Sequence, residues 1–475
     1  MQIRNRYKLV MVVAAGVVAL LCGNCLGDRN SDCIKPYAKN PRYWQYRGKP
    51  VLLLGGGKTD HIFLLDDLKE HLDELAGVGG NYVRNTMSQR EGLDLKPHKR
   101  LSSGKFDLDQ WNDEYWRRFA NCLKWSQERQ IIIQIEVWDR FDYSQEQWQN
   151  SPWRPGNNIT YTNQQTALAE QYAAPAWRDK HPFFHTIPGM SGYKKQYDTI
   201  RRFQEAFVEK MLSYSLDYGN VLYCMNNETS TPVAWGRYWM RFIKEKAQSK
   251  GVEVYVTDMF DDGWKPQSSD KIRQAFDDPK VYEFMDISQV NSRTFNEAHW
   301  VNIKWLADQA AKYPRPLNNT KIYSDGELGF GTGTPRDGVE RFWRNLIAGA
   351  ASCRFHRPGA GIGLNDIAKA CIKAARQVEG EVRFWDVEPR IDLLKDRQED
   401  EAYLAARPGE KYILYFTDGG SVKLDLTGHG GQFALRWVNI KNGDWGGKSE
   451  ITGGKEVAIS APGKGGWAAT IAKQN

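Results

Sequence analysis

Two stretches of this 475-residue chain end on the residue type that performs acid–base and nucleophilic chemistry. The run Val221-Leu222-Tyr223-Cys224-Met225-Asn226-Asn227-Glu228 passes from apolar to polar and closes on Glu228, and Lys321-Ile322-Tyr323-Ser324-Asp325-Gly326-Glu327 closes on Glu327. When parallel strands open on one face, the residues just past each apolar run are the ones that line it. A carboxylate pair on such a face can hydrolyse a glycosidic bond: one acid, protonated, gives its proton to the leaving oxygen while the other, ionised, attacks the anomeric carbon or directs water. Carboxyl groups ~5–5.5 Å apart imply a covalent intermediate and retention, whereas ~6.5–9.5 Å leaves room for water and inversion. The donor needs a raised pKa, which a second, ionised carboxylate nearby supplies. Glu228 taken alone also fits the cap of a helix starting at Val233; a partner acid 99 positions on, three βα units away, argues for the pair.

Positioning such a pair requires a sheet, and the chain alternates short apolar runs with amphipathic stretches from Pro50 onward. Strands are expected at Val51–Gly55, Asn81–Asn85, Ile131–Val137, Val221–Met225, Glu253–Thr257, Asp286–Val290, Lys321–Ser324 and Ala350–Phe355. Helices are expected at Asp66–Ala76, Asp109–Arg129, Lys195–Tyr218, Val233–Lys250, Ser268–Phe276, Ala298–Tyr313, Arg336–Ala348 and Asp366–Val378. Eight repeats with most strand starts about 30 residues apart are the arithmetic of a (β/α)8 TIM barrel. A doubly wound sheet would usually carry a glycine-rich phosphate turn after its first strand, and no GxGxxG follows Gly55-Gly56-Gly57. Beyond about Arg390 the period drops to two, in Lys411–Phe416, Val422–Leu426, Phe433–Val438, Glu456–Ser460 and Trp467–Ile471. The expected organisation is therefore a leader at 1–27, a barrel at 28–389 and a small all-β sandwich at 390–475, which either binds glycan or buttresses the barrel.

Other polar residues follow the expected strands. Asp60 and His61 come after the first, Trp138 and Asp139 after the third, Asp258 and Asp261 after the fifth, Asn291 after the sixth, and His356 and Arg357 after the eighth. Each reads equally well as a substrate contact or a structural hydrogen-bonder. Glu136, inside the third apolar run, reads as a buried carboxylate that becomes catalytic only if the main pair fails. The long connection from Trp138 to Tyr193 carries Trp138, Trp148, Trp153, Trp177, Phe183 and Phe184. It is expected to form a wall or lid of a cleft, with packing on the barrel exterior as the alternative.

Asn227-Glu228 ending strand four with Glu327 ending strand seven resembles the large retaining glycoside hydrolase clan that contains cellulases, mannanases and β-galactosidases. Asn40-Pro41-Arg42-Tyr43 before Gly48-Lys49-Pro50-Val51, the segment His181-Pro182-Phe183-Phe184 and the β-rich tail are similar to its apiosidase-like branch, in which a barrel precedes a tail named for collagen binding. The resemblance covers roughly residues 38–472. It implies Glu228 as acid/base, Glu327 as nucleophile, Asn227 as donor to the sugar hydroxyl beside the anomeric carbon, and Arg84 as the arginine that keeps the nucleophile ionised. Two features depart from it: Gly55-Gly56-Gly57-Lys58-Thr59-Asp60-His61 lacks the Gly-Ser-His-Thr-Trp type of the branch, and Gln289-Val290-Asn291-Ser292 offers Asn291 where the clan often has Tyr or His.

Composition sets the compartment and the partners. Residues 1–27 have a basic start (Arg4, Arg6, Lys8), an apolar run from Leu9 to Leu21 and small residues before a cut after Gly27, the pattern of a secretory leader. That run is shorter than the ~20 residues of a membrane span. A lipid anchor on Cys22 or Cys25 has Leu21 and Asn24 where a small residue is wanted. A secreted, periplasmic or cell-surface location follows. The formal charge of +7 falls to +4 without the leader, too weak to argue for nucleic acid. Five scattered cysteines remain (Cys33, Cys122, Cys224, Cys353, Cys371), with no CxxC pair; Cys224 and Cys353 sit in apolar runs as small buried hydrophobes. No HExxH, EF-hand loop or Walker lysine is present, so no metal or other cofactor is expected. Eighteen Trp and twenty-two Tyr suit the apolar faces of sugar rings. The expected activity is retaining hydrolysis of a plant or algal polysaccharide or oligosaccharide. A non-catalytic carbohydrate-binding barrel, or an inverting or lyase-type enzyme on acidic glycan, are the alternatives.

Overall fold

The computed structural model describes residues 32–87, 95–143, 145–172, 180–324, 327 and 331–474. The leader expected at residues 1–27, with Cys22 and Cys25, and Trp177 lie outside the described residues. Eight parallel strands are β1 (Leu53–Gly56), β2 (Tyr82–Thr86), β3 (Ile132–Asp139), β4 (Val221–Asn227), β5 (Val256–Thr257), β6 (Met285–Asp286), β7 (Leu317–Asn318) and β8 (Ser352–Phe355). Eight helices follow them in turn: α1 (Leu68–Gly77), α2 (Asp113–Glu128), α3 (Tyr197–Ser215), α4 (Val233–Ser249), α5 (Asp270–Phe276), α6 (Asn296–Lys312), α7 (Pro335–Ile347) and α8 (Asp366–Glu381). The longest strands, β3 and β4, are buried along their whole length, as apolar runs covered on both faces must be.

Strand pairing runs β2-β3-β4-β5, β6-β7 and β8-β1, all parallel. Backbone bonds outside these ladders join the groups. The Asn81 N–H donates to Leu54 (2.8 Å), Glu283 to Val256 (3.2 Å) and Ala351 to Leu317 (2.8 Å). Inside, a polar layer ties four strands together. Tyr82 Oη donates to Gln134 Oε1 (2.6 Å), Gln134 Nε2 to Asp286 Oδ2 (2.6 Å), and Asn318 Nδ2 to both Tyr82 and Gln134. Trp44, from an antiparallel sheet of three short strands over residues 35–51, donates its indole N–H to Asn318 Oδ1 at 2.8 Å.

Strands six and seven differ from the sequence expectation. The residues after Asp286 turn into a 3-10 segment at Ser288–Asn291, stabilised by the Asp286 carboxylate accepting from the Ser288 N–H at 2.9 Å. The regular part of strand seven precedes Lys321–Ser324, where Ile322 alone bridges to Phe355.

Beyond residue 387 the chain forms an antiparallel region. Its strands are β9 (Glu388–Pro389), β10 (Leu394–Lys395), β11 (Ala402–Arg407), β12 (Lys411–Phe416), β13 (Ser421–Asp425), β14 (Gln432–Asn439), β15 (Asp444–Thr452), β16 (Glu456–Ser460) and β17 (Trp467–Lys473). They make a six-stranded sheet, β9-β11-β12-β17-β14-β15, and a three-stranded one, β10-β13-β16. Strand β12 shows how period two serves two surfaces. Tyr412, Leu414 and Phe416 join an apolar cluster with Val422, Leu424 and Ile459 of the smaller sheet, while Ile413 and Tyr415 join the main core. There Tyr415 stacks on Trp343 of α7 with ring centres 5.7 Å apart. Strand β15, largely exposed and glycine-containing, has none of the apolar alternation that marks its neighbours.

Close strand approach makes one position intolerant. A Cβ at Gly55 would stand 1.9 Å from the Tyr82 carbonyl oxygen, so Gly55→Ala must push β1 from β2. We expect this variant to lose about 3 kcal/mol or more of stability, at the upper end of overpacking costs, read from its urea midpoint.

Candidate active site

Glu228 follows β4 directly, and its backbone is left-handed with φ of 58°. Residues other than glycine adopt that region at a cost, typically of 1–3 kcal/mol, and such positions cluster at functional sites. The helix reading of Glu228 fails, because α4 begins after Pro232 and receives no side-chain cap. Its carboxylate instead accepts from Lys321 Nζ at 2.7 Å and Tyr323 Oη at 2.9 Å through Oε1, and from Arg140 Nη2 at 3.4 Å through Oε2. The Glu228 side chain retains 17% exposure, against 1% for Lys321 and 4% for Arg140, so the acid alone of the three reaches solvent appreciably.

The electrostatics run against the sequence expectation of a raised pKa. Burial pushes the Glu228 carboxyl up, but the Lys321 ammonium, the Arg140 guanidinium and the hydrogen bonds from Lys321 and Tyr323 more than offset it and hold the group well below the usual carboxylate range. Gln289 Nε2 donates to Tyr323 Oη at 3.0 Å, leaving that hydroxyl's proton directed at Glu228. Lys321 also donates to Asn227 Oδ1, and Asn227 Nδ2 donates to Asp139 Oδ2 at 2.9 Å. Asn227 and Asp139 thus meet Glu228's neighbourhood, yet Asn227 spends its amide on protein partners. Arg140 is fixed by Ser230 and Asp261, each at 2.8 Å from Nη1.

Glu327 is exposed, in a short 3-10 position, and Asp325 and Gly326 before it lie outside the described residues. Arg84, expected beside Glu327, is fully buried and committed elsewhere. Its guanidinium binds Glu136 through Nε and Nη2 and Asp60 through Nη1. The cause is register: β2 and β3 pair Thr86 with Glu136, so Arg84 and the acid project from adjacent strands into the same interior, where Thr86 Oγ1 also donates to Glu136 at 2.7 Å. Burial would lower the Arg84 pKa; Asp60 and Glu136 raise it instead. Asp60 further binds Arg357 Nε at 3.0 Å and lies 3.5 Å from His356 Nδ1. Burial keeps the His356 imidazole well below its usual pKa, hence neutral at pH 7. His356 packs edge-on to Tyr323 with centres 5.0 Å apart, which joins this cluster to the Glu228 cluster. His61 is buried beside it and bridges to Asn85 through its backbone.

Two expected substrate contacts are core residues. Trp138 is 2% exposed, with its ring centre 5.2–5.6 Å from those of Phe183, Phe207, Trp235 and Trp239. Trp148, Trp153, Phe183 and Phe184 are buried with it, and Tyr143 stacks on Phe183, so these aromatics of the 138–193 connection pack inward onto α3 and α4 and, among the described residues, do not form an exposed wall. Period-free aromatic loops do not reveal which way they face. Asn291 is fully buried, donating to Asn319 and accepting from Asn345, each at 2.7 Å. Asp258 is likewise buried, and that burial pushes its carboxyl up to about 7. Cys224 and Cys353 are buried thiols. Among the described residues, no group of three or more His, Cys, Asp or Glu is placed to hold a metal ion, and no helix is long and apolar enough to cross a membrane.

Sequence reasoning missed Lys321, Arg140, Tyr323 and Gln289. Lys321 left one signal, a cation at the start of an apolar run whose neighbours are all buried.

Comparison with known proteins places the fold. A domain of unknown function, DUF6298, matches residues 89–305. No curated protein matches the chain. Among solved structures, a glycoside hydrolase family 5 protein from Bacteroides vulgatus is similar at a TM-score of 0.63 and 12% identity, over 94% of each chain. A second structure, described as a glycoside hydrolase, is similar at a TM-score of 0.63 and 11% identity, over 94% of this chain and 98% of its own. The chain shares its fold with these two structures, a mixed α/β arrangement followed by an antiparallel region.

Glu228→Gln would leave the buried Lys321 ammonium without its anion, at a cost of about 3 kcal/mol or more at pH 7. Because the folded-state pKa of Glu228 is depressed, its stabilisation is present above the unfolded value near 4.5 and is lost as pH falls through the folded one. The deficit of the variant should therefore shrink below about pH 4.5, as urea titrations across pH would read. Trp138→Ala should cost about 3–5 kcal/mol of stability, as a core truncation does.

Proposed function

We propose that the protein is a glycoside hydrolase whose eight strands close into a (β/α)8 barrel, with a C-terminal β-sandwich packed on α7 and α8. The reading rests on one observation: a carboxylate at the end of the fourth strand, held ionised by Lys321, Tyr323 and Arg140 and still open to solvent. The backbone bonds that join the strand groups support closure. The leader supports export, and a plant or algal poly- or oligosaccharide is the proposed substrate.

The ionised state of Glu228 suits it to the nucleophilic role, the reverse of the order that the clan resemblance implies. In this scheme Glu228 attacks the anomeric carbon while Glu327 gives its proton to the leaving glycosidic oxygen, forming a glycosyl ester. Glu327 then takes a proton from water, which attacks the same carbon and frees the Glu228 carboxylate, giving net retention. Tyr323 and Lys321 stabilise the Glu228 anion before attack and receive it again on release. Arg84 takes no part: its charge is spent on Asp60 and Glu136.

One observation favours a second reading, carbohydrate binding without cleavage: the Lys321 ammonium neutralises the acid it touches.

A polysaccharide panel with product identification, followed by azide rescue, tests both. Each Ala variant should lose several orders of magnitude in turnover. With azide, Glu327→Ala should yield a glycosyl azide of the substrate's anomeric configuration, and Glu228→Ala the opposite one. The converse pattern would restore the order implied by resemblance. Glycan binding with no reducing ends released from any substrate would establish the second reading.

A further inference from the structure

We infer that Asp258 is a positioning residue for Glu228: its buried carboxylate grips the chain immediately after that residue and so holds the left-handed bend that aims Glu228 at Lys321 and Tyr323. The inference rests on the reading of Glu228 as the reacting carboxylate.

The grip is made of side-chain and backbone bonds. Thr229, immediately after Glu228, donates its hydroxyl to Asp258 Oδ1. The Met259 N–H donates to Oδ1 at 3.0 Å, fixing the acid on its own strand. Two backbone bonds complete the clasp: the Thr229 N–H donates to the Met259 carbonyl, and the Asp261 N–H donates to the Thr229 carbonyl at 3.1 Å. Glu228 thus lies between Asn227, tied to Asp139 and Lys321, and Thr229, tied to Asp258 and Met259, and its φ of 58° is the conformation that these anchors leave it. A glutamate in that region persists only when its surroundings over-determine it.

Helix α4 is shaped around the same carboxylate. A Cβ at Gly236 would stand 2.4 Å from Asp258 Oδ2, so the missing side chain at that buried helical position makes the space the acid occupies. Glycine inside a helix is unfavourable relative to Ala, and the close approach of the Asp258 carboxylate is the physical reason for it here. Burial also raises the Asp258 pKa, because ionisation here carries the cost of lost hydration.

Two variants, each examined by crystallography and by 13C NMR titration of the Glu228 carboxyl, test the clasp without any substrate. Asp258→Ala removes the grip, and Gly236→Ala displaces the carboxylate while keeping it. In both, the Glu228 φ should move to negative values and its carboxylate should leave Lys321. Its titration should then rise to the ordinary range, near 4. Gly236→Ala placed on Asp258→Ala should add no further shift, because the atom it strikes is gone. If Asp258→Ala does not fold, Gly236→Ala carries the test alone. Glu228 keeping its left-handed backbone and its low titration in Gly236→Ala would overturn the inference. A polysaccharide panel without cleavage would count against the hydrolase reading and leave these structural readouts unaffected.

Discussion

The Lys321 ammonium, 2.7 Å from the Glu228 carboxylate and 1% exposed, is the contact on which the site turns. A lysine buried this deeply is tolerable only beside an anion, and a carboxylate this close to a lysine stays ionised. The pair therefore fixes the charge of Glu228, fixes where Asn227 and Tyr323 point, and joins the end of strand four to the end of strand seven. Tyr323 and Arg140 extend the same logic, each adding a donor to one acid.

A second buried ionic group lies beside it. Arg84 meets Glu136 and Asp60 with its side chain fully out of solvent, and Asp60 passes the connection on to Arg357 and His356. These charges offset one another inside the strands, which makes them architecture. Two buried carboxylates, Glu136 and Asp60, are closed by Arg84, whereas Glu228 is closed on three sides and open on the fourth. Openness distinguishes a group that can meet a substrate from one that only holds strands together.

The antiparallel region contributes to the same core. Its larger sheet buries Ile413 and Tyr415 against α7 while its opposite face packs on the smaller sheet. Arg344 of α7 binds both Glu340 and Asp400, at 2.6 and 2.7 Å, and Trp300 of α6 lies against Tyr403. Contacts of this kind buttress the helices that flank the later strands, the second of the two roles expected for the tail.

Periodicity alone carried the succession of elements. All eight helices and six of the eight parallel strands lie where apolar runs and amphipathic stretches place them, because burying one face or both imposes a repeat on the residues themselves. Strand β15 was illegible for the same reason, since a strand that buries almost nothing has no pattern to read. Glu228 was legible as the last residue of an apolar run. What became of its charge was not. Lys321, Arg140 and Tyr323 lie 93, 88 and 95 positions from it along the chain and come within reach only through the packing of strands. Likewise Arg84 was readable as a strand-end cation, but its partner was decided by the register of β2 on β3, and the inward turn of Trp138 by the helices waiting for it. Residue type and spacing determine which groups can react. Charge state, partner and direction arise from distances between remote residues, and the folded chain alone sets those.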